Sequence, residues 1–527
     1  MLYFSPDFNR LTERMSIVNG LLRKSFVQTV DTFPVILVFA ALLIRMFRLD
    51  FQTLWLDEAV IYTQISASSL LEMLSRVEGH IGPVYHIIVY LFAKLFGTSE
   101  MAMRLPSVLL GTASVWLLYA ITKELFGQST ARIAGILLLL SPLHIWYSQE
   151  ARMYALWVFL ILLATRFYLL AIVHNNKRNW LLFLVVCVLS VWTYLNSFFF
   201  FGALGLHQLL NSELRRRTLT RFVSVMLVTT TCFIPGIVAF FNKTSMGIGS
   251  SRSTGFFDLA YSFLAFNLGT SLGPSLIEIR MQKAALGAGT VGQLISDYGL
   301  LLFFSLSIFV GMVIYGLWQI IQTENRSRLT FVLLLAVFAP LTIWLTAVVM
   351  PNVPFNVRYI LAALPFYLMI LAIGLDALSF KRQSILVLLF IVVWAISLNG
   401  HFFEAKYHKV DMRHAISRMT KQMGYGDKAL IFYEHARPVI EYYDKTGKLS
   451  DAYVPLTADS ASILEKITDA RCLFILHTVR TQEYPAHLIS EILAVITATR
   501  PVTSIYKINH GTLTTYCQND KEGNNRK

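Results

Sequence analysis

Over roughly the first 400 residues the chain alternates long apolar runs with short polar turns. Apolar runs of roughly the 17–25 residues that carry a helix across a bilayer fall at about 34–49, 105–122, 131–146, 152–173, 179–195, 197–213, 221–241, 298–321, 329–349, 357–379 and 383–400. The pattern predicts a polytopic α-helical membrane protein with about eleven transmembrane helices. Pro83 to Phe96 is shorter and carries His86 and Lys94, which predicts a juxtamembrane helix lying at the interface instead of a span. From about His401 the chain turns polar. Asp411 is placed to cap a helix through about Met423. Strands are predicted at Ala429–Tyr433, Cys472–Leu476, Ser504–Ile508 and Thr512–Cys517, with helices near Pro438–Tyr443 and Ser460–Ile467 between them. The expected organisation is a membrane domain over 1–400 and a soluble, extracytoplasmic α/β domain over 401–527.

Composition supports this division. Hydrophobic residues make up 55% of the 527 and charged residues 14%, with a mean hydropathy of +0.58, too apolar for a soluble globular chain. The net charge of +14 does not imply a nucleic-acid partner, because the basic residues sit in short clusters between apolar runs. If 83–96 stays out of the bilayer and the N-terminal segment with Arg10, Arg14, Arg23 and Lys24 is cytoplasmic, five further groups also face the cytoplasm. These are Lys123 with Arg132, Lys177-Arg178, Arg215-Arg216-Arg217 with Arg221, Arg326 with Arg328, and Lys381-Arg382. If 83–96 crossed, all of them would face out, against the positive-inside rule. The polar stretch before the first apolar run is unlike a cleaved signal peptide, so the first span is expected to be retained. The address implied is a membrane crossed many times, with the N-terminus inside and the C-terminal domain outside.

This topology gathers the chemically capable side chains on the outer face: Asp57, Glu58, Glu78, His80, His86, Arg104, Glu150, Arg152 and Arg358. A site there faces away from cytoplasmic nucleotides, and no phosphate-loop or dinucleotide motif is present. Ionisable residues at the bilayer edge mark function by default. For Asp57-Glu58 the competing explanation is a helix start, where negative charge suits the dipole.

The run Leu56-Asp57-Glu58-Ala59, then Glu78-Gly79-His80-Ile81-Gly82-Pro83-Val84-Tyr85, then Leu95-Phe96-Gly97 with Arg104-Leu105-Pro106-Ser107 and Gly111, resembles the first external loop and next span of the polyprenyl-phosphate-sugar-dependent glycosyltransferases. Ser141-Pro142, Tyr147-Ser148-Gln149-Glu150-Ala151-Arg152-Met153-Tyr154, Asn356-Val357-Arg358-Tyr359 and Pro365 extend the match in order over most of 50–370. The chain is similar to glycosyltransferase family 39, the protein O-mannosyltransferase-like proteins of GT-C fold, and to the related lipid A aminoarabinose transferases. One departure is that Gly82-Pro83 stands where relatives commonly show two prolines.

The resemblance implies inverting transfer of a sugar from a polyisoprenyl-phosphate donor to a hydroxyl acceptor, which is a protein, a lipid or a cell-envelope glycan. The sequence names neither sugar nor acceptor. Asp57 is the expected general base. Glu58, about 100° round a helix from it, is expected to position the acceptor or tie down the loop. Arg152 and Arg358 lead as donor-phosphate ligands, since a guanidinium matches phosphate with a planar fork; Arg104 and His80 come second. Glu78, Tyr85 and Tyr359 are candidates for positioning the acceptor or the loop. Glu78 and His80 are also the only candidate ligands for a divalent metal. Their spacing, without a third ligand, leaves metal dependence open, and no other cofactor is called for. A second external loop, 242–297, is Gly- and Ser-rich from Met246 to Gly255 and reads equally as a lid or an irregular connector. Cys187 and Cys232 fall in spans. Cys472 and Cys517 lie in predicted outer strands, bridged or free. A transporter or lipid flippase, and a catalytically idle scaffold of the same fold, are the alternative functions; a transporter should place its ionisable residues near the midplane.

Overall fold

A computed structural model describes residues 31–77, 82–245, 254–275, 278–279, 281, 289–322, 326–350, 353, 355–433, 436–456, 460–478, 481 and 485–518. The chain is a multi-pass helical membrane protein with a C-terminal β-sheet domain.

Among the described residues, five unbroken helices are long and apolar enough to cross: Glu100–Phe126, Tyr154–His174, Ser327–Val349, Val357–Asp376 and Phe380–Phe403. Counting each of three bent pairs as one span brings the number to eight: Gln128–Leu140 with Pro142–Ser148 (58°), Ser212–Cys232 with Ile234–Asn242 (53°), and Gly292–Phe304 with Leu306–Gln322 (44°). The expectation of a continuous span over 131–146 is therefore corrected. Proline at 142 cannot donate to the helical ladder, and the helix breaks at Ser141. Three more expected spans appear as shorter helices, Phe33–Met46, Lys177–Val191 and Ser197–Leu210. At about 1.5 Å per residue each reaches roughly 21–23 Å, less than the bilayer core.

The basic turns share one end of the bundle. Asp31, just before the first helix, pairs with Arg132 (3.3 Å) and Lys123 (3.8 Å). Thr130 donates to Asp376 at 2.5 Å. Asn211 and His207 meet Ser327. At the opposite end the first loop folds into three short helices, Leu56–Ile65, Leu70–Arg76 and Val84–Phe96. Ser69 caps the second by accepting from Glu72 N at 3.2 Å. Gly97, at φ +80°, stops the third in a left-handed turn that side chains disfavour. In the second loop, Phe256–Leu268 is helical and packs its C-terminal end into the core. Most of Met246–Gly255 lies outside the described residues.

The C-terminal sheet has strands β1 (Lys428–Phe432), β2 (Tyr453–Val454), β3 (Cys472–Thr478), β4 (Val502–Ile508) and β5 (Gly511–Cys517) in the order β2-β1-β3-β5-β4. β1 runs parallel to β2 and β3, while β5 runs antiparallel to β3 and β4. Alternation along the strands feeds two cores. Ala429, Ile431, Phe474 and Leu476 meet the helix Met412–Gln422 on one face. Leu430, Phe432, Leu473 and Ile475 meet Ser460–Ile467 and Ala486–Thr499 on the other. Sequence reasoning did not find β2 or the helix Ala486–Thr499. A disulfide joins Cys472 to Cys517, which face each other across β3 and β5, deciding the alternative left open by the sequence.

Candidate active site

The helix Leu56–Ile65 begins directly after Trp55, whose extended backbone puts Asp57 and Glu58 in the first turn. The two carboxylates diverge from there. Glu58 is fully buried, whereas the Asp57 side chain keeps 26% of its exposure.

Glu58 lies at the centre of a closed ion network. Its Oε1 accepts from Arg104 Nε and Ala151 N, both at 2.9 Å, and its Oε2 from Arg104 Nη2 at 2.9 Å and Lys409 Nζ at 3.1 Å. Burial alone would raise its pKa, but Arg104 and Lys409 outweigh it and hold the carboxyl well below its ordinary value. Arg104 donates its remaining hydrogens to the carbonyls of Leu49 (2.8 Å), Gln52 (2.9 Å) and Thr53 (3.2 Å). Lys409 also reaches Glu150 at 3.2 Å. Two carboxylates and two cations thus neutralise one another, and every element they join is locked.

This network bears on two expectations. Arg104 is not available to a donor phosphate, because its whole fork is engaged and it is buried. Glu58, enclosed by the same partners, joins the loop helix to the membrane helices and to the C-terminal segment.

Asp57 faces a second, open cluster. Arg358 Nη1 lies 3.2 Å and Arg152 Nη2 3.7 Å from its Oδ2. Arg152 Nη1 donates to its backbone carbonyl at 3.3 Å. The two guanidinium groups rest on aromatic faces. Arg358 lies 5.5 Å from the Trp55 ring centre, 5.7 Å from Tyr154 and 5.3 Å from Tyr359, and Arg152 lies 5.9 Å from Tyr154. Arg152 Nε, Arg358 Nε and Trp55 Nε1 are buried donors with no hydrogen-bond partner among the described residues. Orphaned donors of this kind are rare unless a ligand or water completes them.

The remaining candidates divide. Tyr359 lines the open cluster, its hydroxyl 3.4 Å from Arg358 Nη2, and Asn196 holds its carbonyl at 3.1 Å. Tyr85 is buried beneath the cluster, away from it: its hydroxyl meets Ser107 Oγ at 2.8 Å, and Ser107 donates to the Arg152 carbonyl at 3.3 Å. Tyr85 therefore supports Arg152. Glu78 and His80 lie outside the described residues. Among the described residues no group of three His, Cys, Asp or Glu gathers as a metal site.

Lys409 was not found from sequence, since it comes from the far end of the chain, 351 residues from Glu58. It arrives with a polar seam between the C-terminal domain and the first loop. Thr53 donates to the Val410 carbonyl at 2.9 Å, Leu54 N to the Tyr443 hydroxyl at 2.7 Å, and Tyr443 and Arg413 both engage Glu100. Trp55 and Tyr154 were also missed; an aromatic beside an arginine carries no distinctive local signal.

The whole architecture has solved counterparts. ArnT from Cupriavidus metallidurans, determined bound to undecaprenyl phosphate, superposes with a TM-score of 0.57 over 91% of this chain and 97% of its own, at 14% identity. The fold is GT-C. The archaeal oligosaccharyltransferase AglB from Archaeoglobus fulgidus, solved with an inhibitory peptide and a dolichol-phosphate, follows with a TM-score of 0.52 over 93% of this chain and 74% of its own, at 12% identity. In sequence, residues 80–238 match the model of the dolichyl-phosphate-mannose-protein mannosyltransferases, whereas the likeness to ArnT is one of fold. Two Bacillus subtilis proteins provisionally named mannosyltransferases are similar over shorter stretches. YycA is 28% identical over 187 residues, and YkcB 35% over 100. The matched part spans 34% of this chain and 27% of YycA, and 19% of this chain and 14% of YkcB.

Proposed function

We propose that the protein is a glycosyltransferase that moves a sugar from a polyisoprenyl-phosphate donor to a hydroxyl acceptor at the outer face of a bacterial inner membrane, with inversion. The observation that carries the reading is the open cluster itself. A carboxylate stands between two arginines whose Nε–H donors, with that of Trp55, lack partners. Phosphate supplies several acceptor oxygens and fits a guanidinium fork. The lipid-phosphate ligands of ArnT and AglB fit the same reading.

Asp57 is counter-ion to both arginines. A donor phosphate takes over the guanidinium groups and frees Asp57 to face the acceptor. The base then removes the acceptor hydroxyl proton as that oxygen bonds the anomeric carbon from the side opposite the phosphate. The bond from the anomeric carbon to the phosphate oxygen breaks, its electron pair leaves with the phosphate, and Arg152 and Arg358 balance the charge that develops there.

This reading includes eleven crossings, made of the five unbroken helices, the three bent pairs and the three short helices at 33–46, 177–191 and 197–210. The shared end of the basic turns supports a cytoplasmic N-terminus. The Cys472–Cys517 bridge suits a C-terminal domain, 401–527, in an oxidising compartment.

The test is transfer from a labelled polyprenyl-phosphate sugar in membranes containing the protein, together with extraction of its bound lipids. Transfer abolished by Arg152→Ala and Arg358→Ala is expected. No transfer with any such donor, and no polyprenyl phosphate retained, would return the transporter and scaffold readings.

A further inference from the structure

Arg45 is fully buried in the membrane domain, in the helix Phe33–Met46, and pairs with no carboxylate among the described residues. Its donors meet five acceptors. Nε points to Ser148 Oγ (3.3 Å), Nη1 to the carbonyls of Ala41 (3.1 Å) and Leu139 (3.5 Å), and Nη2 to the Leu138 carbonyl (3.2 Å) and His144 Nδ1 (2.8 Å). Because arginine only donates, His144 must accept at Nδ1 and carry its proton on Nε2.

A charge buried without a counter-ion in an apolar domain costs several kcal/mol as a class, so its surroundings must offset it. They do so at the break in the Gln128–Ser148 span. Interrupting a helix leaves its last carbonyls without partners and concentrates negative dipole there. Arg45 takes the carbonyls of Leu138 and Leu139 just before the break, and through His144 and Ser148 it holds both ends of the short helix after it. Its own carbonyl and that of Phe47 accept from Gln149 Nε2, each at 2.9 Å. The next residues along the chain are Glu150, Ala151 and Arg152.

We propose that Arg45 is a positioning residue for Arg152. It sets the angle at which the broken span delivers the 149–153 segment, and hence the Arg152 guanidinium, to the donor phosphate. Glu58 fixes the same segment from outside through Ala151 N, and Tyr85 and Ser107 fix it from beneath; Arg45 fixes it from within the membrane. Gly111 gives it room. A Cβ there would meet the Ser148 side chain, with Ser148 Cβ 2.8 Å away and Arg45 Nε 3.4 Å away.

The proposal rests on the reading of Arg152 as a phosphate ligand, so the experiment separates the two. Full-length Arg45→Lys, Arg45→Met, Ser148→Ala, Gly111→Ala and Arg152→Ala proteins are placed in nanodiscs. Each is assayed for folding, for binding of undecaprenyl phosphate, and for the donor KM, acceptor KM and kcat with a labelled polyprenyl-phosphate sugar. The expected result is a donor KM raised about tenfold or more in the folded Arg45 and Gly111 variants, with the acceptor KM unchanged and undecaprenyl phosphate binding weakened in parallel. A purely structural arginine would lower the folded fraction and leave the donor KM of the folded remainder at the wild-type value, which overturns the proposal. If the Arg45 variants do not fold, Ser148→Ala and Gly111→Ala decide on the same readout. Undecaprenyl phosphate bound at the wild-type affinity by Arg152→Ala would instead overturn the phosphate reading beneath it.

Discussion

Replacing Asp57 with asparagine separates its two proposed duties because they change in opposite directions. As a base it is indispensable: the amide keeps the shape but takes no proton, so turnover should fall about 10²- to 10⁴-fold. As a counter-ion it competes with the donor. Its Oδ2 lies 3.2 Å from Arg358 and 3.7 Å from Arg152, with 26% of the side chain exposed. At that exposure, screening and side-chain entropy leave each such pair worth about 0.2–1 kcal/mol net. Removing both attractions should therefore tighten undecaprenyl phosphate by about 1 kcal/mol, or about fivefold. The assay pairs equilibrium binding of undecaprenyl phosphate in nanodiscs with transfer from a labelled polyprenyl-phosphate sugar at the same pH. Near-normal turnover would remove Asp57 from the chemistry. Donor binding weaker than wild type would refute the competition, since it would make Asp57 a partner of the ligand.

Arg358→Lys keeps the charge but loses the fork and the stacking on Trp55 and Tyr359, so donor affinity should fall by about 1–3 kcal/mol in the same binding assay; an unchanged affinity would assign Arg358 to holding Asp57 alone. Lys409→Met leaves Glu58 with Arg104 as its cation and removes the lysine that Glu150 pairs with, and should destabilise the protein by about 3–5 kcal/mol in denaturant unfolding, whereas a surface lysine would cost almost nothing. Because the folded-state pKa of Glu58 is depressed below its ordinary value of 4.5, its stabilisation is complete above that pH and is lost as pH falls through the folded value. Glu58→Gln should accordingly be less stable than wild type at neutral pH, with the gap closing on acidification in thermal scans. Reporters fused near residue 100 and after residue 405 should both sit outside; a cytoplasmic signal at residue 100 would reverse the topology.

The sequence was most informative where local chemistry acts alone. The apolar runs locate the membrane helices because hydropathy depends on a short window. Asp411 is legible as a cap because its hydrogen bond to His414 N spans three residues (3.2 Å). Strand β2 escaped because two residues, Tyr453 and Val454, present no period to read. The Arg104 pairing was not legible because a span-boundary arginine looks the same whether it faces a ligand or a buried carboxylate; its partner, Glu58, lies 46 positions away in sequence. Lys409 offered nothing locally. Arg45 did carry a signal, as the more deeply placed of two arginines, with Arg48, in the first apolar run, but that signal marks importance without naming the partner.

The adjacency of Asp57 and Glu58 explains why so much distant structure converges on one short helix. A base must be held within a fraction of an ångström of its target, yet it must stay partly open to receive a substrate. Those demands conflict in one side chain and separate readily in two neighbours, since a rotation of about 100° sends one inward and the other toward the cleft. Glu58 gathers Arg104 from a membrane helix, Ala151 from the turn that carries Arg152, and Lys409 from the C-terminal segment. Each contact fixes the backbone one residue away from Asp57. On the proposed function, this lets Asp57 exchange its arginine partners for substrate without the helix that bears it moving.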